Sequence, residues 1–255
     1  MNIKIGTSGY SFDDWKGPFY PPDIKKGKMF DHYVKHFPTV EINSTYYRIP
    51  HPAVMVNIEK KSPDDYEFIV KVPQQMTHQR KDLDAMLTPY TDCLKPMIDT
   101  GKLKGLLAQF PYSFKFSGEH LDYVRTCADK LRPNPLFVEF RHNSWVNRTM
   151  YDAFREAGIG YVAVDEPPLP GLLKADLFNT TDTAYLRLHG RNTEQWWKGG
   201  PLRYDYDYTR EQLQEWKDKI LKLEHKAKSM YIFFNNCHLG QAVKNALDMK
   251  QLMAL

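Results

Sequence analysis

The chain has 255 residues, of which 35 are Lys or Arg and 31 Asp or Glu, for a formal charge of +4. That balance is too mild to be a nucleic-acid footprint by itself but accommodates an anionic ligand. No stretch nears the roughly 20 apolar residues of a membrane helix, and three cysteines (Cys93, Cys127, Cys237) without CxxC spacing give neither a disulfide framework nor a thiolate zinc site.

The N-terminal MNIKIGTSG begins in strand-like sequence with no signal-peptide pattern, so a cytoplasmic protein without membrane contact is expected. Its first strand is read at Ile3–Ser8. The next apolar runs are VEIN (Val40 to Asn43) and FIVKV (Phe68 to Val72), with Pro52 suited to start a helix carrying Val54 and Ile58 between them. Leu83, Leu87, Tyr90, Leu94 and Met97 mark a longer helix that Pro89 and Pro96 should kink or divide. GLLAQF (Gly105 to Phe110) precedes the stripe Leu121, Val124, Cys127, Ala128 and Leu131; LFVEFRH (Leu136 to His142) precedes Met150, Phe154 and Ala157, with Gly158 as terminator. YVAVD (Tyr161 to Asp165) runs into a Pro-rich loop, Pro167 to Leu173. After AYLRLHG (Ala184 to Gly190) and a long loop, Arg191 to Asp207, the stripe Leu213, Trp216, Ile220 and Leu223 opens with Thr209-x-x-Gln212, the form of a capping box. YIFFNN (Tyr231 to Asn236) and a helix with Ala242, Val243, Ala246 and Leu247 complete the chain. About eight strands alternating with helices is the number that closes a parallel barrel, so the expected fold is α/β, one (β/α)8 TIM-type barrel domain over residues 1–255, with room for irregularity.

Each apolar run ends in an ionisable or amide side chain. An unpartnered charge in a packed core costs several kcal/mol, so this recurrence implies a shared polar pocket. Alternate residues of a barrel strand face the axis. If Val138, Val162, Val164, Leu186, Leu188 and Ile232 pack on helices, then Glu139, Arg141, Asp165, Arg187, His189 and Asn235 face inward. Glu41, Asn43, Lys71 and Gln109 join them by the same register, with Gly6 and Ser8 leaving space on the first strand. All fall late in their runs, at the carboxyl-end mouth where barrel enzymes place their chemistry.

Within this set Glu139, Asp165, His189, Glu41 and Lys71 are the candidate catalytic groups. A carboxylate can act as general base, His189 can titrate near neutrality, and Lys71 can form a Schiff base if desolvated. Arg141 and Arg187 are the candidate anion clamp, because a planar fork suits carboxylate or phosphate. Ser8, Asn43, Gln109, Asn235 and Asn236 are further candidate substrate contacts, as are Tyr47 and Trp145 among the many loop aromatics, which can stack on a sugar or base. Those aromatics are Tyr10, Phe12, Trp15, Phe19, Tyr20, Tyr46, Trp196, Trp197, Tyr204, Tyr206 and Tyr208. The bland alternatives are a salt-bridge network closing the barrel, Glu139 with Arg187 for example, and satellite core packing beneath the loops. His189 with Glu139, Asp165 and Glu41 also has the donor types for one divalent metal, Zn or Mn. No GxGxxG or GxxxxGK[ST] motif indicates a dinucleotide or nucleoside triphosphate.

The motifs IGTSGYSFDDWKGPFYP, VEINSTYYRIP, AQFP, VEFRHNSW, AYLRLHG and FFNN together resemble the YecE-like family, domain-of-unknown-function family 72, over nearly the whole chain. The resemblance implies a TIM-type barrel with those motifs at one mouth, and no established reaction. From the residues, the expected function is an enzyme, a hydrolase, lyase or isomerase, acting on a small anionic ring-bearing metabolite such as a sugar phosphate or nucleotide. A nucleic-acid binding or processing protein, with or without a metal, is the alternative, and a non-catalytic ligand-binding barrel the second. No oligomeric state follows from the sequence.

Overall fold

The computed structural model describes residues 1–223 and 227–255. Eight strands, β1 (Asn2–Thr7), β2 (Thr39–Ile42), β3 (Glu67–Lys71), β4 (Leu103–Gln109), β5 (Leu136–Glu139), β6 (Gly160–Asp165), β7 (Thr183–Leu188) and β8 (Ser229–Phe234), form one parallel sheet of order β1-β8-β7-β6-β5-β4-β3-β2. The ends of that order meet. A parallel bridge joins Ser8 to Glu41, and Gly9 N–H donates to the Glu41 carbonyl at 2.8 Å. Further down the seam Gly6 lies so close to β2 that a Cβ would collide with the Thr39 carbonyl, which excludes any larger residue. The Tyr33 hydroxyl spans the same seam, accepting from Thr7 N–H at 2.9 Å and lying 3.3 Å from the Thr39 carbonyl. The result is a (β/α)8 TIM-type barrel.

Helices α1 (Met29–Tyr33), α2 (Ser44–Tyr47), α3 (Pro52–Lys61), α4 (Leu83–Asp99), α5 (Gly118–Leu131), α6 (Arg148–Ala157), α7 (Arg210–Leu223) and α8 (Gln241–Met253) follow strands β1 to β5, β7 and β8. The stripes read from the sequence are the buried faces of α5 and α7. At the start of α7, Thr209 N–H donates to Gln212 Oε1 and Gln212 N–H to Thr209 Oγ1, the reciprocal pair of a capping box. Gly158 ends α6 in the left-handed conformation.

Two expectations need correction. Pro89 and Pro96 do not divide α4, which runs 17 residues. And β6 is not followed by a helix: three prolines between Pro167 and Pro170 deny the backbone the donors a helix needs, and residues 166–182 run as irregular chain to β7.

The barrel interior is layered. At the amino end Lys4, Glu67 and Tyr231 pair, with Lys4 Nζ 3.1 Å from Glu67 and the Tyr231 hydroxyl donating to it. Above them the rings of Phe137, Tyr185 and Phe233 meet at centroid separations of 5.2 and 5.4 Å. The charged layer of Glu41, Glu139 and Arg187 lies next, one alternation higher on its strands. Phe137 occupies space that Gly105 and Gly160 leave open, since a Cβ at either position would overlap its ring. Gly160→Ala is therefore expected to cost about 1–3 kcal/mol in urea denaturation. A Gly160→Ala/Phe137→Leu double variant should recover part of that loss, whereas simple additivity would show that the ring does not set the cost.

Candidate functional site

The carboxyl-end mouth is organised by one buried ionic network. Glu139, at the end of β5, lies 2.5 Å from Nη1 of Arg187 and 2.6 Å from Nε of Arg141. Arg187 reaches across from β7 and donates through Nη2 to Glu41 on β2 at 2.7 Å and to Ser8 Oγ at 3.3 Å. The second oxygen of Glu41 accepts from the Tyr185 hydroxyl at 2.5 Å, and its first from Asn43 Nδ2 at 2.9 Å. Glu41, Glu139 and Arg187 are buried and Arg141 nearly so. Burial works to raise the Glu139 carboxyl, but the Arg141 and Arg187 guanidiniums override it and hold Glu139 well below the usual carboxylate range.

Above this layer lies a cavity of about 490 Å³ whose wall includes Lys71, Arg141, Arg187 and Arg203 and no carboxylate. The acidic groups form the storey beneath; the cations face the ligand space. Gln109 donates through Nε2 to the Phe110 carbonyl at 3.0 Å, which fixes its amide so that Oε1 accepts from Lys71 Nζ at 2.9 Å. The Lys71 backbone is pinned in turn, its carbonyl accepting from the hydroxyls of Thr45 and Tyr90 at 2.5 and 3.3 Å, while its ammonium lies 4.4 Å from the Tyr46 ring centroid. Burial, then the charge of Arg187, brings the Lys71 amine down to about 7, with Arg141 acting the same way and Glu139 and Glu41 opposing.

His189 sits beside Glu139, its Nε2 3.3 Å from Oε1, and its Nδ1 is 2.9 Å from Asn235 Nδ2. Burial and Arg141 lower it to about 3, so the ring is neutral at physiological pH and, with Asn235 donating, Nδ1 is its acceptor. Several deeply buried polar atoms here have no aligned hydrogen-bond partner: Glu139 Oε1, Arg141 Nε, Arg187 Nε, His189 Nε2 and Asn43 Oδ1. Arg141 Nε and His189 Nε2 still lie within ion-pair distance of Glu139 Oε1, at 2.6 and 3.3 Å, whereas Arg187 Nε and Asn43 Oδ1 have no such neighbour and belong to residues that line the cavity. The loop after β7 covers part of it. Asn192 donates to the Leu202 and Asp205 carbonyls, and Gln241 holds Asp205, so that Gly200, Pro201, Arg203 and Tyr204 line the wall.

Ser8, Asn43, Lys71, Gln109, Arg141, Arg187, Asn235 and Tyr47 thus border this cavity, with Glu41, Glu139 and His189 directly beneath or beside it. Three expected members do not. Asp165 faces the helix layer: it accepts two bonds from Arg191 Nε and Nη2 at 2.8 Å and one from Trp216 Nε1 of α7. Its strand has the opposite phase to the one read, because Gly160 abuts the inward Phe137 while Tyr161 stacks outward on Phe178. Asn236, next to the inward Asn235, points the other way to Tyr206 and to Asn245 of α8. Trp145 is core: fully buried, 3.8 Å from the Phe140 ring and bonded to the Phe114 carbonyl.

Turned away, Asp165 leaves the set of candidate catalytic groups at the mouth. Of the set expected for a divalent metal, Asp165 is turned away and Glu41 and Glu139 are paired with arginines, and among the described residues no three His, Cys, Asp or Glu side chains converge as ligands. Most of the loop aromatics after β1 are packing: Trp15 and Tyr20 are buried and Trp15 donates to the Cys237 carbonyl at 2.7 Å. The sequence reading missed Glu166, the next inward residue of the β6 run. It accepts from Arg141 Nη1 at 3.3 Å and from Leu173 N–H at 2.9 Å, and burial pushes it up to about 7. It also missed Tyr185 and Arg203; a tyrosine inside an apolar strand carries no separate signal.

Glu139→Gln would leave two buried guanidiniums sharing a neutral amide and is expected to destabilise the fold by about 3–5 kcal/mol in urea denaturation. An unchanged midpoint would remove the network from its place as the barrel's keystone. The native His189 ring refuses a proton that the unfolded chain binds, so its contribution to stability falls on acidification from about 6.5 towards 3, and its ring nitrogen shifts should stay flat between pH 5 and 8.

The comparisons agree with the barrel fold. The family model "Protein of unknown function DUF72" matches residues 4–255. The UPF0759 protein YunF of Bacillus subtilis is 32% identical, covering 98% of this chain and 94% of that protein. Crystal structures of DUF72 family proteins from Thermotoga maritima and Enterococcus faecalis superpose with TM-scores of 0.92 and 0.89, at 40% and 26% identity; they cover 100% and 99% of this chain and 100% and 96% of their own. On the family match across its length and the kinship with YunF, the chain belongs to the DUF72 family.

Proposed function

We propose that this protein is an enzyme that holds a small organic anion, such as a sugar phosphate, in the carboxyl-end cavity and moves a proton on it, as an isomerase or lyase does, with Lys71 as the general base. The observation that carries this reading is the make-up of the cavity wall, four cationic side chains and, among the described residues, no carboxylate. An anion entering it meets donors whose carboxylate partners lie in the layer below and not on the wall. Arg141 and the half-buried Arg203 are the donors with room for a ligand, because the terminal nitrogens of Arg187 are engaged by Glu139, Glu41 and Ser8. Tyr46, Tyr47, Phe12 and Tyr204 supply flat surface for a sugar or other ring.

The base is Lys71 rather than a carboxylate. Glu139 is held ionised by two guanidiniums and is a poor proton acceptor, and His189 is too weak a base at its lowered value. An amine near 7 is matched to neutral pH, where the fraction in the basic form and its proton affinity are both substantial. The Cys237 thiol on the same wall is pushed well up by burial and is no competing nucleophile. Hydrolysis of a glycosidic bond, which uses two carboxyl groups flanking the bond, is not favoured, since neither Glu41 nor Glu139 borders the cavity and both are committed to arginines.

The reading is tested by solvent-deuterium incorporation next to the carbonyl of dihydroxyacetone phosphate or fructose 6-phosphate. The exchange rate should be low in acid, rise through about pH 7 as Lys71 loses its proton, and level off above. Lys71→Met should lower it by roughly 10²-fold or more, and Arg203→Ala should raise the half-saturating concentration by roughly tenfold without changing the melting temperature. Exchange that is indifferent to pH and to Lys71 would sink the assignment.

A further inference from the structure

The same lysine has the surroundings of a nucleophile as well as of a base. Its nitrogen ends at the cavity wall rather than in an ion pair: its hydrogen-bond partner is the amide oxygen of Gln109, and the nearest ring is that of Tyr46. Because Gln109 Nε2 is tied to the Phe110 carbonyl, its Oε1 stays turned to the amine. A neutral amine that donates one N–H to that oxygen keeps its lone pair for the open side, where the cavity lies. Glu139 and Glu41, which could have claimed the ammonium, are occupied by Arg141 and Arg187 instead.

We propose that Lys71 forms an imine with the carbonyl carbon of a 2-oxo acid or phosphorylated ketone whose anionic group is held by Arg141 and Arg203. This rests on the proposed function for the anion site, and for carbonyl substrates it gives Lys71 the part of nucleophile in place of that of base. The Lys71 Nζ lone pair adds to the carbonyl carbon while the C=O π electrons move to oxygen, giving a carbinolamine once a proton shifts from nitrogen to oxygen. Loss of that hydroxyl as water, with the remaining N–H proton and one from solvent balanced in the net step, turns amine and carbonyl into C=N and one H₂O; no oxidant or reductant is consumed. Protonated, the C=N group draws electrons from the neighbouring C–H or C–C bond, which is the bond an isomerase or lyase must weaken.

Charge fixes the class of substrate. A protonated imine at this position would stand in the field of Arg187 and Arg141, the two cations that already disfavour the ammonium form of Lys71. A neutral aldehyde or ketone would bring nothing to offset that repulsion. A carboxylate or phosphate one or two bonds from the carbonyl would, by neutralising Arg141 and Arg203 and pairing with the new cation. The groups facing Lys71 are Arg187, Arg141, Glu139, Glu41, the Tyr46 ring and His78; burial and the charges of Lys71, Arg141 and Arg80 bring His78 down to about 4, so it adds no charge above pH 5.

The test is reductive trapping. The intact protein is incubated separately with pyruvate, with dihydroxyacetone phosphate and with acetone, reduced with sodium borohydride, digested, and mapped by mass spectrometry. A secondary amine on Lys71 is expected with the two anionic carbonyls, at least tenfold above any surface lysine and above acetone, and Lys71→Arg should abolish it. Inorganic phosphate should slow the labelling, and Arg203→Ala should slow it by roughly tenfold. Labelling spread evenly over surface lysines, or equal with acetone, overturns the imine. Phosphate binding followed by ³¹P NMR on the same sample separates the two failures: phosphate bound without an adduct leaves the anion site and proton transfer standing, whereas neither phosphate binding nor adduct removes both.

Discussion

The pairing of Arg187 with Glu139 and Glu41 across the barrel axis is the constraint on which the rest of the mouth depends. Its members come from β7, β5 and β2, with Ser8 of β1 attached, so one guanidinium ties together strands from opposite sides of the cylinder. A buried ion costs several kcal/mol to desolvate, and only well-made partners offset it. Here both terminal nitrogens of Arg187 and both oxygens of Glu41 have them, with Tyr185 supplying the last bond from below. An apolar layer of equal volume could close the barrel at least as stably. What such a layer could not do is fix Arg141, which leans on the same Glu139 and on Glu166 while keeping a face for the cavity.

That arrangement sets the electrical character of everything above it. The carboxylates lie beneath the arginines, so a group in the cavity is nearer to the cations than to their counterions. Lys71, His189 and His78 all lose proton affinity in this field, burial being the larger cause in each case. The smaller, electrostatic part of that loss comes from the cations, and a bound anion would offset it. Arg187 Nε and Asn43 Oδ1, without a protein partner beside this cavity, point the same way.

How far this was legible in the sequence depended on whether each strand carried a phase. In β5 and β7 polar and apolar residues alternate, Val138-Glu139-Phe140-Arg141 and Leu186-Arg187-Leu188-His189, so period two alone sent the charged members to the axis. The same held for Glu41 with Asn43 and for Lys71. In β6 it failed, because Tyr161-Val162-Ala163-Val164 is apolar on both faces and gives no phase; Asp165 was taken as the inward tip when Glu166 is. Asn235 and Asn236 are alike in chemistry and opposite in direction, which only the register could decide. Trp145 was beyond reach for another reason: its role is fixed by contacts with Phe140 and the Phe114 carbonyl, which come from chain that only the fold brings near.

Glu166 gives the network its last property. It and Lys71 are opposite in kind, one an acid raised to about 7 and the other a base lowered to about 7, and both feel the same Arg141. Near neutrality each is divided between its two forms. An anion arriving beside Arg141 would weaken the hold of that guanidinium on Glu166 and favour the ammonium of Lys71, so both groups would gain proton affinity together. Glu139 would not follow, locked as it is by two guanidiniums. The barrel thus keeps two kinds of charge at one mouth, a fixed set that positions and a soft pair that can answer the ligand, and the boundary between them is Arg141.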